Sequence, residues 1–278
     1  MSRNLKITLA YDGSEFHGWQ IQPGLPTVQA TLADCLKRLT GEDVLPQGSG
    51  RTDAGVHALA QVASVRLESP IPEKNLVIAL NDVLPPSVRV NSVEVVGDNF
   101  HARHSAKAKT YRYRIYRGDV CPPLLARYVY HDPYPMKEEA VIRASDAVVG
   151  THDFTSFAAS DPDRSARLAE AAPPWPTEGQ NGAPTTADND DTSHSGKLNN
   201  IRTIHSSLWA RTKDELVYTV RGDGFLHHMV RNLVGTFLLV GKGSLQIGDV
   251  PTILEARNRS AAGPTAAACG LYLVSVEY

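Results

Sequence analysis

The chain has 278 residues, of which 42% are hydrophobic and 21% charged, as in ordinary soluble globular proteins, so disorder of the whole chain is excluded. This length allows one large core or two smaller cores that share a sheet. The formal net charge of -2 would exclude a nucleic-acid partner only if the charges were spread evenly along the chain.

The first half of the chain predicts strands and helices in alternation. Residues 5–11 alternate as a strand, and residues 27–39 place their apolar side chains on one helical face, with Thr27 as N-cap and Gly41 beyond the end. A strand, a helix and another strand are predicted next, at 58–67, 73–84 and 88–96.

The second half repeats this order of elements without repeating the sequence. It predicts a strand, a helix, two strands, a helix and a last strand, at 109–116, 136–149, 201–220, 225–240 and 271–277. We therefore predict an α+β fold of two similar α/β-sandwich halves, ferredoxin-like or RRM-like, that share a mostly antiparallel sheet with a central active-site cleft. The halves are predicted as domains at residues 1–105 and 106–278.

A low-complexity segment at about 159–200 interrupts the second domain and is predicted to be a surface insertion. It holds seven of the 30 acidic residues but only three of the 28 basic ones, so the remaining 23 acidic and 25 basic residues carry a net charge of about +2. The acidic insertion therefore conceals a mildly basic core.

Basic residues are concentrated between His101 and Arg117, a segment without any acid. They are Arg103, Lys107, Lys109, Arg112, Arg114 and Arg117. On the predicted strand, Tyr111 and Tyr113 share one face while Arg112 and Arg114 share the other. Tyrosines packed in a core and tyrosines that stack on RNA bases both fit this pattern.

A glycine-rich loop at 48–57 lies between two apolar runs and displays two side chains, Arg51 and Asp53. An ion pair across a tight turn and catalysis by Asp53 fit this composition equally well. A phosphate-binding loop is disfavoured because no Gly-Lys-Ser/Thr ending follows, and an aspartyl phosphatase is disfavoured because Gly55 replaces a second carboxylate.

The predicted helix at 225–240 carries a polar stripe in which His227 and Arg231 are four residues apart. Adjacent histidines on a helix point about 100° apart, so we predict that His227 and His228 form no metal site. A phosphate or active-site contact through Arg231 is the favoured interpretation.

Three cysteines lie far apart, with no C-x-x-C pair and no spacing typical of a zinc site. Lys6 and Thr8 interrupt the apolar residues of the amino terminus, which predicts a strand and not a signal peptide. The most apolar helical stretch, 225–240, is too polar for a lipid span. We therefore expect a cytoplasmic protein without a membrane partner.

The run from Gly50 to His57, Gly-Arg-Thr-Asp-Ala-Gly-Val-His, resembles the active-site signature of the TruA-type tRNA pseudouridine synthases. Further stretches match that family in the expected order, at 11–13 with 16–20, at 100–103 running into 109–113, at 152–154 and at 224–232. Only residues 158–200 lie outside the resemblance.

The resemblance implies an isomerase that converts uridine to pseudouridine at positions 38, 39 and 40 in the anticodon arm of tRNA, with no metal or organic cofactor. It implies that Asp53 is the nucleophile, that Tyr111 stacks on the target base, and that Arg51 and Arg231 belong to the site. It also implies a homodimer, as in the bacterial members.

The residue types agree with this chemistry. A carboxylate can divide the exchange of a C–N for a C–C glycosidic bond into two steps, by attacking either C6 of the base or C1′ of the ribose. Arg51 near Asp53 would favour and orient the ionised carboxyl group. An RNA-binding protein without catalysis would show a damaged signature, and a glycosylase would release free uracil.

Overall fold

The computed structural model describes residues 2–159 and 200–278. Most of the predicted insertion, and the expectation that it is a surface segment, therefore lie outside the described residues.

Ten strands of the described chain form one sheet, and most of the pairs are antiparallel, as predicted. The strands are β1 (Arg3–Tyr11), β2 (Gln47–Gly48), β3 (His57–Leu67), β4 (Val88–Val96), β5 (Ala108–Tyr116), β6 (Tyr130–His131), β7 (Gly150–Asp153), β8 (Ile201–Thr212), β9 (Glu215–Gly222) and β10 (Leu271–Glu277). Their order is β4-β1-β3-β10-β5-β9-β8-β7, with β2 beside β3 and β6 beside β5.

The helices of the described chain are α1 (Val28–Thr40), α2 (Glu73–Val83), α3 (Glu138–Asp146), α4 (Met229–Gly241) and α5 (Asp249–Ala256). The predicted caps of α1 are confirmed: Thr27 Oγ1 accepts from Ala30 N at 3.4 Å, and Gly41 is left-handed at φ 77°. None of these helices is long and apolar enough to cross a membrane.

Two predicted helices begin later than their apolar pattern indicated. Helix α3 covers Glu138–Asp146 and not 136–149, and α4 begins at Met229 and not at 225. Helix α5 was not predicted, since Pro251 resembles a helix breaker although proline is tolerated in the first turn. The short strands β2, β6 and β7 were missed as well, because two to four residues carry no readable alternation.

The two halves of the sheet meet where β10, the last strand, pairs with β3. This contact is parallel and short, with Tyr272 opposite His57 and Leu273 opposite Ala58. On its other side β10 runs antiparallel to β5. Further along β3, the same edge pairs with β2, so the chain between β2 and β3 lies at the seam of the two halves.

Candidate active site

Asp53 lies in the connection between β2 and β3, and residues 49–56 are called the Asp53 loop. The loop is held by the first half of the chain: the hydroxyl groups of Thr52 and Tyr11 are 2.8 Å apart, and Trp19 N donates to Thr52 O at 3.1 Å. Within the loop, Val56 N donates to Asp53 O at 3.1 Å. These bonds fix the backbone on both sides of Asp53.

Two glycines allow the chain before α1 to pack directly on the Asp53 loop. A Cβ atom at Gly13 would lie 2.0 Å from Val56 O, and one at Gly18 would lie 2.4 Å from Thr52 O. Gly18 is also left-handed, with φ +86°. The glycines of the stretches at 11–13 and 16–20 are therefore required by this close backbone approach.

Three basic side chains surround the Asp53 carboxylate. Arg231 Nη1 donates to Asp53 Oδ2 at 2.7 Å, His228 Nε2 lies 3.3 Å from Oδ2, and His227 Nε2 lies 3.5 Å from Oδ1. The Asp53 side chain is 19% exposed, so its ion pair with Arg231 is only partly screened by water. Arg231 therefore attracts and orients the carboxylate.

Arg231 is in turn held by the segment that precedes β10. Its Nε donates to Ala266 O at 2.7 Å, and Ala266 N donates to Arg231 O at 3.1 Å. This segment can approach α4 because residue 235 is glycine: a Cβ atom there would lie 1.7 Å from Pro264 O. The close approach aims the Arg231 guanidinium at Asp53.

The late start of α4 changes the interpretation of the two histidines. His228 is the N-cap, in a left-handed conformation at φ 59°, and the rings of His227 and His228 are 3.9 Å apart. The argument that helical geometry turns these rings apart is therefore wrong. Burial lowers the pKa of His228, which favours its neutral form.

Asp53, His227 and His228 are the described residues that could hold a metal ion, because their ligand atoms all lie within 4.8 Å of one another. The guanidinium of Arg231 is already ion-paired with the Asp53 carboxylate, and its positive charge repels a second cation at that position. The arrangement is thus better suited to orienting the carboxylate than to chelation.

Tyr111 lies on β5 and lines the same pocket as Asp53. Its ring meets Phe225 edge-to-face, with centroids 4.9 Å apart and planes at 75°. Burial raises the pKa of Tyr111 far above its usual range, so the hydroxyl keeps its proton at neutral pH. Together with Phe225 and Leu271 it forms an apolar wall suited to a planar ring.

Arg51 also lines this pocket, beside Asp53. Asp53 also forms an ion pair with Arg231, a residue of the other half of the chain. The pairing of Arg51 with Asp53 stays a prediction. The sequence pattern did not assign His227, His228, Lys109 or Arg103 to the site, although the spacing of Lys109 to Tyr111 places both on one face of β5.

The basic side chains from Arg103 to Arg117 make different kinds of contact. Arg114 forms two hydrogen bonds with Glu215, at 2.8 and 2.6 Å, and Arg117 donates to the backbone carbonyl groups of Asp132 and Tyr134. Arg114 and Arg117 are therefore engaged in contacts within the protein. Arg103 and Lys109 face the pocket instead.

The fold and the pocket together define a class of protein: an α+β protein with an ion-paired carboxylate beside aromatic side chains, at the seam of a divided sheet. A family described as tRNA pseudouridine synthase matches residues 7–105 and 187–278. The sequence resemblance had placed residues 187–200 outside the family pattern. The family match resumes at residue 187, so these residues lie inside it.

Individual relatives agree with the family match. A protein of Solibacter usitatus named tRNA pseudouridine synthase A is 48% identical over 276 residues, which cover 99% of this chain and 100% of the relative. Proteins of the same name from Bacillus licheniformis and Moorella thermoacetica are each 40% identical, over 99% of this chain and 98% and 99% of their own length. The chain belongs to the tRNA pseudouridine synthase family, whose members are isomerases, and these matches support tRNA pseudouridylation as its activity.

Proposed function

We propose that the protein converts uridine to pseudouridine at positions 38, 39 and 40 of the tRNA anticodon arm, with Asp53 as the nucleophile. The observation that carries this proposal is the placement of the Asp53 carboxylate in the pocket that Tyr111 lines. Arg231 Nη1 donates to Oδ2 at 2.7 Å, and His227 Nε2 lies 3.5 Å from Oδ1. In this proposal Oδ1 makes the attack while Arg231 holds Oδ2.

The reaction is an isomerisation: the nucleotide keeps all its atoms, and the bond between the base and the ribose moves from N1 to C5. The N1–C1′ bond breaks, the uracil turns while it is held in the pocket, and a C5–C1′ bond forms as C5 loses its proton and N1 gains one. Asp53 forms a transient ester at C1′ or an adduct at C6, and leaves when the new bond forms. Tyr111 stacks on the uracil and retains it while it is detached.

The charges around the pocket suit an RNA substrate despite the net charge of -2. Arg51, Arg103, Lys109 and Arg231 come from three separate stretches of sequence, since Arg103 and Lys109 belong to one basic segment. Arg51, Arg103 and Lys109 line the pocket, and Arg231 joins them through its ion pair with Asp53. Such a cluster attracts the phosphates that flank a target nucleotide, and tRNA affinity is expected to fall steeply with added salt.

We further propose that the protein is a cytoplasmic homodimer that uses no metal or organic cofactor. The roles of Asp53, Arg51, Tyr111 and Arg231 all belong to this proposal. A glycosylase that releases free uracil is the second candidate, because it would use the same carboxylate and the same pocket for a flipped base.

The test is to incubate the protein with an unmodified tRNA transcript that carries uridine at positions 38, 39 and 40. Pseudouridine is then mapped by carbodiimide-blocked primer extension. We expect stops at these three positions, and none in a matched transcript with cytidine there. Stops elsewhere in the tRNA would contradict the assigned positions, and free uracil in the supernatant would favour the glycosylase.

A further inference from the structure

Lys109 is a part-buried lysine at the start of β5, and its individual role within the basic cluster of the pocket has not been assigned above. It shares the inward face of the strand with Tyr111, Tyr113 and Ile115, which are all buried. A lysine on such a face is uncommon, because burying an ammonium group costs free energy unless it is paired. Its position therefore needs an explanation.

The ammonium group reaches across the seam to the Asp53 loop. Lys109 Nζ donates to Ser49 O at 2.6 Å, and a Cβ atom at Gly50 would lie 3.0 Å from this nitrogen. From the other side of the loop, Gln61 Nε2 donates to Gly50 O at 3.0 Å. The backbone just before Arg51 is thus held by both halves of the protein.

The charge of Lys109 has no carboxylate partner in the part of the chain that the structure describes. Among the residues that the structure describes, no carboxylate forms an ion pair with Nζ, and Ser49 O accepts one of its three N–H donors. The positive charges of the Arg103 and Arg202 guanidinium groups act on the ammonium group. Two donors are therefore left for a ligand that enters the pocket.

We propose that Lys109 is a positioning residue that ties the Asp53 loop to the second half of the protein and takes a backbone phosphate of the bound RNA as its counter-ion. This inference rests on the proposed function, because the phosphate arrives with the RNA substrate. A phosphate is the ligand that fits an ammonium group that has no carboxylate partner among the described residues and feels the positive charges of Arg103 and Arg202.

Protonation of Lys109 gives the proposal a pH signature. Burial, and then the charges of Arg103 and Arg202, lower the pKa of Lys109 to about 8 in the free protein. The charged form is thus present below pH 8 and is lost as the pH rises through that value. The other titratable groups that line the pocket are Arg51, Asp53, Tyr111, His227 and His228. Burial lowers the pKa of His228 and raises that of Tyr111, so both shifts move the titration of these groups away from pH 8.

The test compares wild type with Lys109→Met and with Lys109→Gln, which can still donate to Ser49 O but carries no charge. Lys107→Met is the matched control, since it removes a charge from an exposed lysine two residues away. The measurement is kcat/KM for pseudouridine formation in tRNA between pH 7 and 9, with the melting temperature of each protein as a check of folding.

At pH 7 we expect kcat/KM to be lower by about tenfold or more in both Lys109 variants, and nearly unchanged in the control. The ratio of wild type to Lys109→Gln should approach one as the pH rises above 8, because wild type then loses the charge that Gln lacks while both side chains can still donate to Ser49 O. Ionisation of the uracil affects both proteins and cancels in the ratio.

A folded Lys109→Met protein with wild-type kcat/KM, or a ratio that does not change with pH, would overturn the inference. Should Lys109→Met fail to fold, the same two outcomes apply to Lys109→Gln. A wild type that makes no pseudouridine would instead contradict the proposed function.

Discussion

At the scale of single residues, the polar and aromatic side chains of the pocket have different roles. Arg231 fixes one oxygen of Asp53, and the two histidines approach both oxygens from the side of α4. The Tyr111 hydroxyl keeps its proton, because burial raises its pKa. Its ring is therefore expected to matter more than its hydroxyl group.

Replacement of Tyr111 separates these two roles. Tyr111→Phe keeps the ring and should retain kcat/KM within about tenfold, whereas Tyr111→Leu loses a stacking contact of about 1–3 kcal/mol and should fall by roughly ten- to a hundredfold. Tyr116→Leu, on the same strand but outside the pocket lining, is the control. Equal activity of the Phe and Leu variants would show that stacking is not the role of Tyr111.

At the scale of elements, the sequence predicts those parts that local patterns determine. The long strands, α1 and α2 were predicted because their apolar residues repeat at the period of each structure. The beginning of α4 was not predicted correctly, because the row of apolar residues extends back to Phe225. In the structure His228, which contacts Asp53, has a left-handed backbone conformation, and the helix begins only after it. That contact joins residues distant in sequence, which no local pattern can show.

The packing of α4 against the segment before β10 leads to a prediction for Gly235. In Gly235→Ala the new Cβ atom must displace Pro264 O, which would shift Ala266 away from Arg231. We expect the free energy of unfolding to fall by about 1–3 kcal/mol, measured by chemical denaturation. We also expect kcat to fall by a larger factor than the fraction of folded protein.

The control is Gly248→Ala, since no atom lies within 4 Å of a Cβ atom at Gly248 and its φ is -69°. Because Gly248 is the N-cap of α5, where alanine is less favourable than glycine, this change should cost no more than about 1 kcal/mol and leave Arg231 in place. If Gly235→Ala were as stable and active as this control, the segment before β10 would not be what positions Arg231.

At the scale of the whole molecule, the site exists only where the two halves meet. Asp53 comes from one half, and Tyr111 and Arg231 come from the other. Across the seam, the His57 ring stacks on Tyr272 with centroids 4.8 Å apart. The two similar halves could be predicted from the alternating elements, but the placement of the last strand between them could not, because strand pairing depends on long-range contacts. The domain boundary near residue 105 stays a prediction.

The central claim is that Asp53 is the nucleophile, and the direct measurement is single-turnover pseudouridine formation by Asp53→Asn at saturating protein. This change keeps the size and polarity of the side chain but removes the attacking oxygen anion. We expect the rate to fall by several orders of magnitude while the melting temperature and tRNA affinity stay close to those of wild type. A folded Asp53→Asn protein that binds tRNA and keeps more than about a tenth of the wild-type rate would contradict the account.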